Sequence, residues 1–127
     1  MLRLVLSAIF NNIPAKAAHA HCDGPCGVYD PASARVAAEA VLSMTKKLKA
    51  LEVPQGNDPI ALASYNNTLS RFVAIKEDQA QETKKELLIL WTDYFKPEHL
   101  ATYPDLHDTF WKAAKLCSAC KVNIDVN

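Results

Sequence analysis

From residue 31 onward, apolar side chains recur every three or four positions, the period of one helix face. Ala37, Ala40, Val41, Met44, Leu48 and Leu51 fall on one side of a first predicted helix. Asp30-Pro31 is its start signal, an aspartate able to cap and a proline that loses no hydrogen bond in the first turn. Lys46, Lys47 and Lys49 sit near its far end, where cations meet the negative pole of the helix dipole. Val53-Pro54-Gln55-Gly56-Asn57 is a turn cluster. Asp58-Pro59 repeats the start signal, and a long helical pattern follows to about Phe95 through Leu62, Tyr65, Leu69, Phe72, Ile75, Ala80, Leu87, Leu90 and Tyr94. Asn66-Asn67, both poor helix formers, mark an expected break. Lys96-Pro97 stops the pattern. Pro104-Asp105 opens a last helix in which Leu106, Phe110, Ala113, Cys117 and Cys120 recur at spacings of 4, 3, 4 and 3. There is no alternating strand pattern and no internal repeat. The expected fold is all-α, an antiparallel helical bundle spanning residues 31–127.

Composition narrows the function classes. The 127 residues allow one domain with one core. Half are hydrophobic, and 14 Lys+Arg balance 14 Asp+Glu, which excludes a charged disordered tail. A nucleic-acid partner is not expected, because a neutral chain offers no general phosphate-binding surplus. The longest apolar run falls well short of the ~20 residues that span a bilayer, so no membrane partner is expected of the mature form.

Residues 1–20 differ from the rest. They hold one early cation, Arg3, the apolar stretch Leu4 to Phe10, no acidic residue, and a small-residue tail ending at Ala20. This reads as a removable leader cut after Ala20. An amphipathic N-terminal helix is the plainer alternative, and a secretory signal a further one. The cut takes Arg3 and Lys16 from the 14 cations and none of the 14 acidic residues, so the neutral precursor becomes acidic by two charges.

His21-Cys22-Asp23-Gly24-Pro25-Cys26-Gly27-Val28-Tyr29-Asp30 holds two thiols, an imidazole and a Gly-Pro turn within six residues, an irregular N-terminal metal-binding hook over 21–30. Thiolates with imidazole suit a transition metal. Cleavage before His21 would add an α-amine, which ordinarily titrates near ~8 and so yields its proton to a metal near neutral pH. Amine, adjacent amide nitrogen and thiolate form small chelate rings, and planar nitrogen and sulfur donors suit Ni(II) or Cu(II) better than Zn(II). Two other readings stand beside this one. Cys22 and Cys26 could pair as a disulfide, or combine with Cys117 and Cys120 in a four-cysteine zinc site. Either would make the chain a non-catalytic metal-binding or structural domain.

The run His21 to Pro31 resembles the metal hook of nickel-containing superoxide dismutase. Leu90-Trp91-Thr92-Asp93-Tyr94-Phe95-Lys96-Pro97, then Tyr103-Pro104-Asp105-Leu106-His107, is similar to a second segment of that family in the same order. The resemblance implies an enzyme that converts superoxide to O₂ and H₂O₂ by Ni(II)/Ni(III) cycling. It implies nickel ligation by His21, Cys22 and Cys26, with His21 and Tyr29 in catalysis and Asp23 and Pro25 shaping the hook. It also implies helical-bundle subunits assembled as a hexamer, a peptidase that removes the leader, and a cytoplasmic location, export being the alternative. The family pattern sets a carboxylate behind the hook imidazole where this chain has Ala37, and its arginine partner near Gln79. Glu39 and Lys76 are the substitutes the sequence offers.

The remaining chemistry-bearing residues read as structural. Cys117 and Cys120 continue an apolar stripe, as buried thiols do. His99 and His107 suit surface or interhelical hydrogen bonds. Trp91, Tyr94, Phe95 and Phe110 are spaced as core or subunit contacts. The lysines at 46, 47 and 49 and the pair Lys84-Lys85 read as solvated faces, with steering of an anionic substrate as their functional alternative.

Overall fold

The computed structural model describes residues 27–126. Among the described residues three helices make the bundle: α1 over Ala32–Lys49, α2 over Pro59–Ile89 and α3 over Leu106–Val122. A π-helical turn, Leu90–Tyr94, extends α2, and a 3-10 turn, Pro97–Ala101, leads toward α3. Both α1 and α3 pack on α2, and they make few contacts with each other. Their directions follow from named contacts. Lys47 lies over the Phe72 ring at 5.8 Å, while Ala34 and Leu87 line one cavity, so α1 and α2 are antiparallel. Lys76 reaches Cys120, Lys84 reaches Ser118, and Trp91 reaches His107, so α3 runs antiparallel to α2 as well.

The second start signal works as the sequence predicts, whereas at the first, Pro31 rather than Asp30 stands at the N-cap and makes no side-chain capping bond. The Asp30 carboxylate accepts from the Ala32 amide at 2.9 Å, just ahead of α1. Asp58 accepts from the Ile60 amide at 2.9 Å, with Pro59 beside it. The lysines at 46, 47 and 49 occupy the last turn of α1. Gly56, at a φ of 87°, supplies the left-handed residue of the α1–α2 turn.

Two expectations need correction. The helix does not break at Asn66-Asn67, and α2 runs 31 residues without interruption. Two Asn cost well under 1 kcal/mol each, which a helix capped at one end and packed along its second half absorbs. The long helix also does not reach Phe95 as an α-helix. The Phe95 amide donates to the Leu90 carbonyl at 3.2 Å, five residues back, the bond of a π turn.

The buried face of α1 is Ala34, Ala37, Val41, Thr45 and Leu48. The predicted stripe is therefore right in direction and one position off at Met44. The Thr45 hydroxyl turns back onto the Val41 carbonyl at 2.8 Å, which lets a polar side chain sit inside. The buried residues of α2 are Lys76, Ala80, Thr83 and Glu86, all in its second half. Lys76, 2% exposed, is the most deeply buried large side chain among the described residues. No helix among these residues is long and apolar enough to cross a membrane.

Candidate metal centre

The hook residues His21, Cys22, Asp23, Pro25 and Cys26 lie outside the described residues, so the site is approached from its C-terminal side. Gly27 has a φ of 65°, a left-handed conformation that a side chain would strain. No atom lies within 4 Å of where its Cβ would be, so backbone conformation alone favours glycine there. Val28 follows, then Tyr29, which is half-buried.

The Tyr29 ring rests on Tyr94, centroids 5.4 Å apart and planes tilted by 57°. Tyr94 belongs to the π turn. It stacks on His99 at 5.9 Å with planes 9° apart, and meets the edge of Phe95 at 5.0 Å. Phe95 in turn meets Phe110 of α3 at 5.4 Å. His99 is fixed by accepting from the Lys96 amide through Nδ1 at 2.8 Å. The Lys96 ammonium closes the same segment by donating to the Asp93 carbonyl at 2.8 Å. An aromatic chain thus ties the segment that precedes α1 to the rest of the bundle. The sequence spacing marked Tyr94 as a core or subunit contact and missed this role. The signal available was its place in the segment Leu90 to Pro97 that resembles the family.

The residues considered as braces for the hook imidazole are otherwise engaged. Ala37 is buried in the α1 stripe at 4% exposure. Glu39 pairs with Arg35 at 2.8 Å on the solvent side. Lys76 spends its donors on the end of α3, on the Cys120, Lys121 and Asn123 carbonyls. The steering lysines are also misplaced for that purpose. Those at 46, 47 and 49 lie at the opposite end of α1 from Tyr29, about 25 Å along the helix. Lys84 donates to Ser118, and Lys85 pairs with Glu82.

His107 forms the interhelical bond expected of it, accepting from the Trp91 indole at 2.9 Å. Cys117 and Cys120 are free thiols, the first buried and the second half-buried. Burial pushes the Cys117 thiol up, with the neighbouring Cys120 adding to the rise. Among the described residues no group of three or more His, Cys, Asp or Glu could hold a metal.

The described residues define a helical-bundle protein in which a short segment, residues 27–30, leads into the first helix. A family model for nickel-containing superoxide dismutase matches residues 16–127. The nickel superoxide dismutase of Streptomyces seoulensis is 41% identical over 121 residues, which cover 95% of this chain and 82% of the relative. That of Streptomyces coelicolor is 40% identical over the same length and coverage. A native nickel superoxide dismutase structure superposes with a TM-score of 0.68 at 40% identity, over 84% of this chain and 80% of the other. A structure of the enzyme with nickel ligated as in the oxidised state gives the same TM-score at 42% identity. The chain belongs to the nickel-containing superoxide dismutase family. It is an oxidoreductase that disproportionates superoxide, and nickel is its metal.

Proposed function

We propose that this chain is the precursor of the enzyme and that its metal site is built on residues 21–26 after cleavage between Ala20 and His21. The observation that carries the reading is the seat of Tyr29 on Tyr94, 5.4 Å between rings, where the hook joins α1. It fixes a phenol two residues beyond Gly27 and three beyond the second thiol of the motif.

The donor set fits the metal. His21 would give its freed α-amine and its imidazole, Cys22 its backbone nitrogen and thiolate, and Cys26 a second thiolate. Anionic sulfur and nitrogen donors suit planar nickel. Bound there, nickel supplies one-electron exchange between Ni(II) and Ni(III). The net reaction takes two superoxide ions and two protons to O₂ and H₂O₂. Tyr29 can donate a hydrogen bond from its phenol to an arriving anion and stand in the path by which protons reach it. Asp23 and Pro25 shape the loop so that Cys26 returns beside Cys22. The α-amine of His21 would hold the residue at the site independently of its imidazole.

Family membership supports three further parts of the reading. The subunits assemble as a hexamer, a maturation peptidase removes residues 1–20, and the enzyme works in the cytoplasm, where a reducing environment keeps thiols free. The test uses protein beginning at His21 and loaded with nickel. It should show a Ni(III) spin-resonance signal and dismutate superoxide, while the uncut chain does neither. Cut protein that binds nickel and shows neither property overturns the reading.

A further inference from the structure

An apolar groove of about 390 Å³ runs between α1 and α3, with α2 as its floor. Pro31, Ala34 and Val41 form one wall, Ala80 the floor, and Leu116 and Cys120 the other wall. The floor is deep because Ala80 is small and itself 1% exposed. Leu116 stands 62% exposed at the rim. Arg35 is the charged residue of the lining, and its guanidinium is paired with Glu39.

We propose that in the uncut precursor the apolar part of the leader, Leu2 to Ile13, lies in this groove. The inference rests on reading residues 1–20 as a leader. Three observations select this occupant. The described chain begins at Gly27, four residues before Pro31 at the end of the groove. The connection of residues 14–26 can span up to about 45 Å when extended, against about 15 Å for the stretch of α1 from Pro31 to Val41. The segment is therefore tethered beside the groove and long enough to turn back into it, a high effective concentration. Its pattern also fits. Leu2, Leu6, Ile9 and Ile13 recur at spacings of 4, 3 and 4, the period of one helix face. A helix over residues 2–13 would be about 18 Å long, close to the length of the groove.

The cleavage would then do two things. It frees the α-amine of His21, and it releases a segment that covers an apolar face until that moment. The leader becomes a plug as well as a mask.

Cys120, half-buried in the groove wall, is a native reporter. The experiment compares the full chain with protein beginning at His21, both reduced and metal-free, by maleimide labelling followed by peptide mass mapping. Mapping separates Cys120 from Cys22 and Cys26. Labelling of Cys120 should be at least tenfold slower in the full chain. A synthetic peptide of residues 1–20 should slow it saturably in the cut protein. Leu6→Asp in the full chain should restore the fast rate, and Arg3→Gln should not. Equal rates in the two forms would overturn the proposal. So would protection that appears in both forms and grows with protein concentration, since a second copy would then be the occupant. Nickel plays no part in this measurement, so its failure leaves the enzymatic reading intact, and failure of the nickel test leaves this result standing.

Discussion

Replacing Lys76 by methionine should destabilise the bundle by about 3 kcal/mol and loosen one helix end in particular. The last turn of any α-helix leaves four carbonyls without intrahelical donors. α3 ends at Val122 and passes into extended backbone at Asn123, with no glycine there to close a left-handed cap. Lys76 supplies what the turn lacks. Its ammonium donates to the Cys120 carbonyl at 2.5 Å, the Lys121 carbonyl at 2.7 Å and the Asn123 carbonyl at 3.1 Å. All three of its donors are used, 44 to 47 positions away in sequence. It also sets a positive charge against the negative end of the α3 dipole.

The magnitude follows from opposing terms. Hydrogen bonds from a charged donor contribute roughly 1.5–3 kcal/mol each when measured singly. The three share one donor group, and the freed carbonyls near the chain end regain water, so their sum is an overestimate. Methionine keeps the volume and removes the cost of holding an ammonium away from solvent, an offset of a few kcal/mol. A net loss near ~3 kcal/mol is a large share of the ~5–15 kcal/mol that holds a domain of this size. Urea unfolding gives the total. Hydrogen exchange gives the location, because the Asn123 amide bonds to the Ala119 carbonyl at 3.0 Å and should lose protection first. A loss below 0.5 kcal/mol, or one spread evenly over all three helices, would refute the capping argument.

Four other outcomes are expected. Asp58→Ala should cost about 1 kcal/mol by removing the α2 cap, seen as a shifted urea midpoint, while Asp58→Asn should cost less. Tyr94→Leu should remove ring contacts to Tyr29, Phe95 and His99 and lower stability by about 1–2 kcal/mol. It should also lower turnover in nickel-loaded protein, since the Tyr29 phenol loses its seat. Because burial raises the folded-state pKa of Cys117, the unfolded chain binds fewer protons once pH passes the ordinary thiol value of ~8.5. Stability should therefore fall as pH rises from there toward the folded-state value, and Cys117→Ala should flatten that alkaline limb in unfolding curves. Cys22→Ser and Cys26→Ser should each abolish both dismutation and the Ni(III) signal, and retained activity in either would remove the thiolate argument.

How much of this was legible in the sequence depends on how local its cause is. The helix start at Asp58-Pro59 was legible because the capping side chain and the helix it caps are neighbours, while at Asp30-Pro31 the place was right and the cap one residue out. The expected break at Asn66-Asn67 was wrong because a small local preference lost to the cooperativity of a 31-residue helix. Lys76 reads in the sequence as a substitute for the arginine that the family pattern sets near Gln79, since its role depends on carbonyls 44 to 47 residues away that no local pattern reveals. The hook was legible as a candidate, because two thiols and an imidazole fall within six residues, while spacing alone left a disulfide and a four-cysteine zinc site open beside it. The anchoring of Tyr29 on Tyr94 was not, because it joins positions 65 apart through a helical irregularity.

That irregularity is the step by which the fold serves the site. An α-helix turns about 100° per residue, so continuing α2 unchanged would fix the bearing of Tyr94 by the phase set at Leu87 and Leu90. The π turn inserts extra chain between the Leu90 carbonyl and the Phe95 amide and shifts that phase. Two aromatic side chains of one turn then serve different neighbours. Trp91 stacks on Phe110, with planes 7° apart, and donates to His107, binding the turn to α3. Tyr94 meets Tyr29, binding the same turn to the chain that enters α1. Phe95, in contact with both Tyr94 and Phe110, closes the link between them. A regular helix can hold a bundle together with a single stripe. Holding α3 and residues 27–30 from one turn requires side chains on two bearings, which is what the altered phase supplies.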